Sequence, residues 1–194
     1  MNSFTDNCSV PSTVPVPPIF QSDILTPYME HTTYLKKSQI ILPNNKQIDE
    51  KQSYLIKALG EFSIPESCYI DDTGHFNSVE FNICFNQISY VMFAFAFKHN
   101  IFNPILKDWK KKGLSYESFR KNQLSSMLIV KIEGKFLSNL GSDQFWGEVS
   151  LKKILFRSDV IYFYTDIIYY DKHDGKSNGS VVLAYNPNLN KRTT

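Results

Sequence analysis

One short segment, Tyr69 to Glu80, carries side chains that can polarise a carbonyl group or move a proton. It holds a phenol at Tyr69, an imidazole at His75, an amide at Asn77 and a carboxylate at Glu80. An imidazole titrates near neutrality and can act as a general base, and a phenol or an amide can donate a hydrogen bond to a carbonyl oxygen. The set is therefore suited to chemistry at a carbonyl or thioester group.

The element that must position these side chains begins directly after them. Residues 81–97 are apolar on almost every face, which predicts a helix that the rest of the protein wraps. Asn77, with Glu80 three residues later, fits a capping box at the helix start. The polar segment would then lie at the positive end of the helix dipole, a favourable place for a developing oxyanion.

Each of these side chains also has a purely structural interpretation. His75 could bond a backbone carbonyl in a turn, and Tyr69 could pack in the core as one of eleven tyrosines. For Glu80 we favour the capping role over that of a buried carboxylate with a raised pKa. Asn77 could cap the helix or bind a thioester carbonyl, and one amide cannot easily do both.

The rest of the chain predicts one domain of the α+β class. At 194 residues it suits a single domain with a sizeable core, residues 21–194, preceded by a Pro-rich extended arm at residues 1–20. We predict a short helix over 23–30, a polar and partly helical stretch over 106–121, a hairpin turn at Asp174-Gly175, and strands over 34–42, 54–62, 125–136, 144–156, 159–170 and 180–185. From Ile161 to Tyr170 both faces are apolar, so we expect this strand to be covered twice.

Composition argues against several functional classes. The net charge of +2 is nearly neutral, which argues against bulk binding of nucleic acid. Polar residues interrupt the apolar helix, and the N-terminus lacks a signal-peptide pattern, so we expect no membrane span and no secretion. Three cysteines cannot all pair, which indicates a reducing, cytoplasmic setting in which Cys84 packs in the core. We expect no metal ion and no cofactor.

Several uncommon sequence words occur in order along the chain, at residues 61–70, 73–77, 84–87 and 123–129, followed by Lys131 and Phe136. Through them, roughly residues 26 to 150 resemble the FcoT-like thioesterase family. The resemblance implies a hot-dog fold, in which a curved antiparallel sheet wraps a long helix. Members were first described as long-chain acyl-CoA thioesterases. Members in isonitrile-lipopeptide pathways add glycine to the β-carbon of a (2E)-enoyl group on an acyl carrier protein.

The same resemblance implies roles for individual residues. His75, Asn77 and Tyr69 match active-site positions, and Tyr28 aligns with a second active-site tyrosine. Lys131 also matches and could hold a substrate carboxylate or phosphate, although an exposed strand lysine is an equal alternative. Family members carry an arginine where this chain has Val130, so any carboxylate-binding role of that arginine is absent here.

Two further polar residues are candidates for substrate binding. Gln87 falls about two and a half turns into the helix, where its amide either anchors the surrounding strands, which we favour, or lines an acyl tunnel. Ser126 lies beside Ser125 at the predicted start of a strand. Neither serine stands in a Gly-x-Ser-x-Gly elbow, so we exclude nucleophilic serine catalysis.

Together these features predict a (2E)-enoyl-acyl-carrier-protein glycyltransferase, with a long-chain acyl-CoA thioesterase as the alternative and a non-catalytic acyl-binding protein as a third possibility. The expected partners are an acyl carrier protein or acyl-CoA, and glycine. The basic run from Lys107 to Lys121 could dock an acidic carrier protein or CoA phosphates, or it could be a solvated face. The hot-dog fold implies a homodimer or a higher even oligomer, because sheets of two protomers join in it.

Overall fold

The computed structural model describes residues 12–43, 53–71, 74–111 and 114–186. Cys8, Thr73, most of the predicted N-terminal arm and several lysines of the basic run lie outside the described side chains. The elements in chain order are β1 (Ser12–Pro15), α1 (Pro18–Leu25), a 3-10 turn (Glu30–Thr32), β2 (Leu35–Leu42), β3 (Ile56–Phe62), α2 (Ser78–Lys98), α3 (Asn103–Lys111), α4 (Tyr116–Ser126), β4 (Met127–Phe136), β5 (Phe145–Arg157), β6 (Val160–Tyr170) and β7 (Lys176–Tyr185).

Within the described residues the strands form one seven-stranded sheet in the order β1-β2-β3-β5-β6-β7-β4, and all neighbouring strands are antiparallel. The long α2 packs against β2, β3 and β5, and its Phe81 and Phe93 contact aromatic rings of β6. A long helix wrapped by an antiparallel sheet is the hot-dog arrangement, and the α+β prediction is confirmed. The strand β4 forms one edge of this sheet.

Helix α2 is the centre of the core, as its composition predicts. Every residue from Gln87 to Phe97 is buried. Cys84, three residues before this run, is buried in the same core cluster. The first turn is held by a capping box: Asn77 Oδ1 accepts hydrogen bonds from the N–H groups of Val79 (2.9 Å) and Glu80 (3.4 Å), and Glu80 Oε2 accepts one from the N–H of Asn77 (2.9 Å). The predicted start of this helix is therefore confirmed.

Three local predictions are wrong. The first helix begins at Pro18, not near residue 23, because a proline fits the first helical position, and only the 3-10 turn lies near the predicted end. Ser125 and Ser126 end α4, so the strand β4 begins at Met127. The third concerns β6, in which Tyr162, Ile168 and Tyr170 on the outer face are partly or largely exposed, so that a single chain covers only one face.

The other elements agree with the sequence. Strands β2, β3 and β5 lie where the patterns predict them, and β7 begins somewhat earlier than expected, at Lys176. The hairpin before it contains Asp174 with a φ of 63°, which an aspartate tolerates in a tight turn. Residues 12–15 pair with β2 as an extended strand, and the division into arm and domain at residue 20 stays a prediction. No helix among the described residues is long and apolar enough to cross a membrane.

Candidate active site

A cleft runs between the first turns of α2 and the inward face of the edge strand β4. Its deeper part has a volume of about 400 Å³ and is lined by Ser78, Val79, Phe81, Asn82, Ile132, Gly134 and Phe136. Its outer part has a volume of about 450 Å³ and is lined by His75, Phe76, Asn77, Ser78, Phe136, Ser138, Asn139 and Leu140. Ser78 and Phe136 line both parts, so the two adjoin at the helix start.

The deeper part is apolar because of its position at the sheet edge. Ile132 and Phe136 point toward α2 and remain 44% and 48% exposed, since no further strand follows β4 in the sheet that the structure describes. Between them, Gly134 faces the ring of Phe81, and a Cβ placed on it would lie 3.5 Å from that ring. Such a lining suits a flexible acyl chain.

Asn77 performs two tasks with the two ends of its amide. The oxygen caps α2, while Nδ2 donates a hydrogen bond to the hydroxyl of Tyr69 at 3.0 Å. Because a phenol that accepts a hydrogen bond can still donate its own proton, Tyr69 can present its O–H to a substrate. Asn77 therefore caps the helix and supports Tyr69 at the same time, and its binding of a thioester carbonyl stays a prediction.

Tyr69 is an exposed hydrogen-bond donor at this end of the helix. It is 50% exposed, beside the cap, on the segment that leads from Ile64 to the helix start. The N–H groups of Val79, Glu80 and Phe81 are occupied by Asn77, which limits the expected contribution of the helix amides. The dipole of α2 still favours negative charge near its first turn.

His75 is exposed at the mouth of the outer part of the cleft. The neighbouring Phe76 fixes its backbone, because Phe76 is buried and its ring lies 4.8 Å from that of Tyr169 and 5.0 Å from that of Phe145. The buried Glu80 also fixes this segment, because it bonds the N–H of Asn77 and accepts a hydrogen bond from Ser67 Oγ at 3.1 Å. The favoured capping role of Glu80 is confirmed.

Comparison with known proteins identifies the family at this point. The FcoT-like thioesterase domain matches residues 23–185. The chain belongs to the FcoT-like thioesterase family. Its relatives include the (2E)-enoyl-[ACP] glycyltransferase of Streptomyces coeruleorubidus, 33% identical over 84% of this chain and 93% of that protein. The protein of the same name from Mycobacterium bovis is 33% identical over 66% of this chain and 69% of that protein. The thioesterase superfamily member 2 of zebra fish is similar in structure, with a TM-score of 0.44 at 10% identity, covering 86% of this chain and 93% of that one.

In this FcoT-like protein Tyr28 lies between α1 and the 3-10 turn. It packs against the core, where burial and then the neighbouring Tyr90 and Cys84 raise the pKa of its phenol. Cys84 follows Asn77 by about two helical turns, or on the order of 10 Å along the helix axis. The neighbours of Tyr28 on α2 thus lie beyond the first turn of the helix, and a role for Tyr28 in substrate binding stays a prediction.

Gln87 is fully buried, and its amide bonds backbone groups at the start of β2 and just before it. Oε1 accepts hydrogen bonds from the N–H groups of Tyr34 (3.0 Å) and Leu35 (2.9 Å), and Nε2 donates to the carbonyl of Thr32 (2.7 Å). These bonds correspond to the anchoring role that we weighed for it. Most of its hydrogen-bonding capacity is thereby used within the fold.

Ser126 and Lys131 lie outside the cleft of the single chain. Ser126 is buried at the end of α4, and its Oγ has no partner among the residues that the structure describes. Lys131 is exposed on the outer face of β4, with Nζ 3.4 Å from Glu133 Oε2. The neighbouring Val130 forms a bulge, because Ile129 and Lys131 pair with the consecutive residues Leu183 and Val182.

The sequence interpretation missed the residues that wall the deeper cleft, namely Asn82, Ile132 and Gly134. One signal was available: a glycine inside a strand often marks a close approach of another group, here the ring of Phe81. Asn82 gave no comparable signal. Its Oδ1 is buried without a partner among the described residues, which only the folded structure reveals.

Proposed function

We propose that this protein adds glycine to the β-carbon of a (2E)-enoyl thioester carried by an acyl carrier protein. The observation that carries the proposal is the hydrogen bond from Asn77 to Tyr69 beside an apolar cleft whose lining includes Asn77 and His75. The glycyltransferases among the relatives support this choice of substrates. The isonitrile-lipopeptide pathway and a cytoplasmic location are proposed on the family resemblance and on the free thiols of Cys68 and Cys84.

In this reaction the acyl chain lies in the deeper cleft, and the thioester carbonyl accepts a hydrogen bond from Tyr69. The amine nitrogen of glycine forms a bond with the β-carbon, and the electron pair of the double bond moves through the α-carbon onto the carbonyl oxygen. His75 takes a proton from the nitrogen and returns one to the α-carbon. The thioester stays intact, and nothing is oxidised or reduced.

The charge that develops on the carbonyl oxygen is the reason for placing the reaction at this end of α2. Tyr69 and the positive end of the helix dipole both stabilise that charge, and they are in place before the reaction starts. Asn77 contributes indirectly, because its Nδ2 holds the Tyr69 hydroxyl at 3.0 Å. We therefore assign Asn77 to positioning, and Tyr69 and His75 to contact with the reacting atoms.

For the carboxylate of glycine we propose Lys131. Its ion pair with Glu133 is exposed and therefore weak, so that the flexible lysine side chain is not fixed in that geometry. It lies beside Ile132, which lines the cleft, on the edge strand of the described sheet. Arg120 is a poorer candidate because it bonds the carbonyl of Asp23 (2.8 Å) and Gln123 (2.8 Å).

We also propose a homodimer or a higher even oligomer that forms along β4. This edge strand exposes Leu128 and Val130 on its outer side, at 52% and 54%, and unpaired strand edges with apolar side chains favour association. Sedimentation equilibrium of the full chain measures the assembly. A monomer at micromolar concentration would contradict this part of the proposal.

Hydrolysis of a long-chain acyl-CoA is the second candidate function, favoured by the same polarised carbonyl and apolar cleft. Mass spectrometry of an enoyl-loaded carrier protein, incubated with the enzyme and isotopically labelled glycine, separates the possibilities. A gain of one whole glycine on the intact acyl carrier is the expected result. Loss of the acyl group with or without glycine indicates a thioesterase, and an unchanged carrier indicates a binding protein.

A further inference from the structure

The hairpin between β6 and β7 contains a carboxylate that accepts hydrogen bonds from three backbone N–H groups. Asp171 Oδ1 accepts hydrogen bonds from the N–H groups of His173 (2.7 Å) and Gly175 (2.9 Å), both in the hairpin. Its Oδ2 accepts one from the N–H of Gly141 (2.9 Å), which belongs to the connection after β4. Asp171 therefore joins two parts of the chain that are distant in sequence.

The connection from Leu137 to Ser142, here called the β4–β5 connection, is held by the same hairpin at further points. The N–H groups of Leu137 and Ser138 donate to the carbonyl of Lys176 at 2.9 and 3.2 Å. Ser138 Oγ donates to the carbonyl of Asp174 at 2.8 Å. The two segments approach so closely at Gly175 that a Cβ there would lie 2.5 Å from the carbonyl oxygen of Asn139.

The β4–β5 connection in turn holds both segments that carry the proposed catalytic groups. The carbonyl of Leu140 accepts a hydrogen bond from the N–H of Phe76 at 2.9 Å, between His75 and Asn77. The carbonyl of Ser142 accepts one from the N–H of Ile64 at 2.9 Å, at the start of the segment that leads to Tyr69. Residues of this connection also line the outer part of the cleft beside His75.

We propose that Asp171 is a positioning residue of the active site. Its carboxylate fixes the β4–β5 connection, and the connection sets His75 relative to Tyr69 and the cleft. Small displacements matter here, because a shift of about 1 Å in a catalytic group can lower a rate by about 10²-fold. The inference rests on the proposed function for its kinetic consequence, while its structural part is independent of any reaction.

The electrostatics of Asp171 agree with this role. Partial burial raises the pKa of its carboxyl, but the N–H groups of Gly141, His173 and Gly175 together hold that pKa below its ordinary value. The carboxylate is therefore ionised at neutral pH, when it can accept all three hydrogen bonds.

The test compares Asp171→Asn with Asp166→Asn in the full chain. Asparagine keeps the shape of Asp171 but turns one acceptor into a donor, which must face at least one backbone N–H. Asp166 is a matched control, because it lies five residues earlier on β6, the strand that leads to Asp171, is exposed and contacts only Lys152 at 3.8 Å among the described ion pairs. The readouts are amide hydrogen exchange, residue by residue, and the separate values of kcat and KM.

For Asp171→Asn we expect exchange of the Phe76 amide to accelerate about 10-fold or more, with amides of β2 and β3 unchanged. The Ile64 amide should respond less, because its segment has further anchors, such as the hydrogen bond from Tyr34 to the carbonyl of Glu66. For kcat we expect a fall of about 10-fold, with KM for the loaded carrier within about threefold of wild type. Asp166→Asn should leave exchange and kinetics unchanged.

Wild-type exchange at Phe76 in Asp171→Asn would overturn the inference, whatever the activity. An acceleration spread evenly over the whole chain would also overturn it, because it would indicate general destabilisation. So would a local acceleration with an unchanged kcat. If the wild-type protein adds no glycine, the proposed function is wrong, but the inference about Asp171 is not affected. The kcat comparison then uses thioester hydrolysis, and the exchange comparison, which needs no substrate, decides the inference in either case.

Discussion

The two ends of α2 border cavities of similar size but of opposite electrical character. The cleft at the N-terminal end has a deeper part of about 400 Å³, and a cavity of about 360 Å³ lies at the other end, where Lys98, Tyr116 and Glu117 are among its lining residues. Size therefore does not distinguish them. Polarity does, because a helix presents N–H groups and positive potential at its start and carbonyl groups and negative potential at its end.

The side chains follow the same division. At the start of the helix His75 lines the outer part of the cleft, and the exposed Tyr69 bonds Asn77, which lines it as well. At the end, Lys98 lies over the ring of Phe20, 4.7 Å from its centroid, and the chain turns back so that the N–H groups of His99 and Asn100 bond the last carbonyls. The comparison teaches that the direction of the helix, more than the space beside it, decides where an oxyanion can form.

The largest expected effect comes from breaking the packing in the second half of α2. Phe93 is fully buried, with its ring 4.6 Å from that of Phe163, so Phe93→Ala should lower the free energy of unfolding by about 3–5 kcal/mol. Phe136→Ala should lower the free energy of unfolding by well under half of that amount, because Phe136 lines the cleft and is half exposed. Denaturant unfolding measures both free energies. Equal losses for the two variants would contradict the view that the cleft at the start of α2 is more loosely packed than the second half of the helix.

The next effect concerns catalysis. His75→Ala should lower kcat/KM by about 10²-fold or more, because it removes the proposed base. The free energy of unfolding should change by less than about 0.5 kcal/mol, since the side chain is exposed. The matched control is His99→Ala, which removes an exposed imidazole at the opposite end of α2, with its ring centroid 4.2 Å from that of Phe95. Full activity of the His75 variant would exclude His75 as the base.

A third change sharpens the assignment of the deeper cleft to the acyl chain. Gly134→Val places a branched side chain against Phe81 and narrows the cleft. We expect KM for a long enoyl chain to rise about 10-fold, the effect of a poorly accommodated methylene or two, while KM for a crotonyl chain changes little. The short chain serves as the internal control. Equal changes for both chain lengths would place the acyl chain elsewhere.

The smallest expected effect is that of Lys131→Ala. If Lys131 holds the carboxylate of glycine, KM for glycine should rise severalfold with little change in kcat, since an exposed charge contributes about 1 kcal/mol or less. Lys135→Ala, on the same exposed face of β4, is the matched control. If both variants keep the wild-type KM, the two lysines serve only to protect the sheet edge.

The sequence predicts those parts of the site that depend on neighbouring residues. The capping box of Asn77 and Glu80 is local, so its spacing identifies the start of α2 directly. The bond from Asn77 to Tyr69 is not local in this sense, because it depends on how the preceding loop folds back.

Features that depend on distant contacts escaped the sequence interpretation. Nothing near Gln87 indicates that its partners are Thr32, Tyr34 and Leu35. Ser126 was predicted to begin a strand, but α4 extends to it, and the buried Gln123 in its last turns donates to the carbonyl of Ile24. The junction at Asp171 likewise joins segments about thirty residues apart, beyond the reach of periodicity.

The central claim is that the thioester carbonyl accepts a hydrogen bond from Tyr69 at the start of α2. Infrared difference spectroscopy of a bound enoyl-pantetheine thioester, labelled with ¹³C at the carbonyl, tests it directly. We predict a carbonyl stretch at lower frequency in the wild-type protein than in Tyr69→Phe, with Tyr170→Phe on the outer sheet face keeping the wild-type value. An identical frequency in the wild-type and Tyr69→Phe proteins would contradict the account.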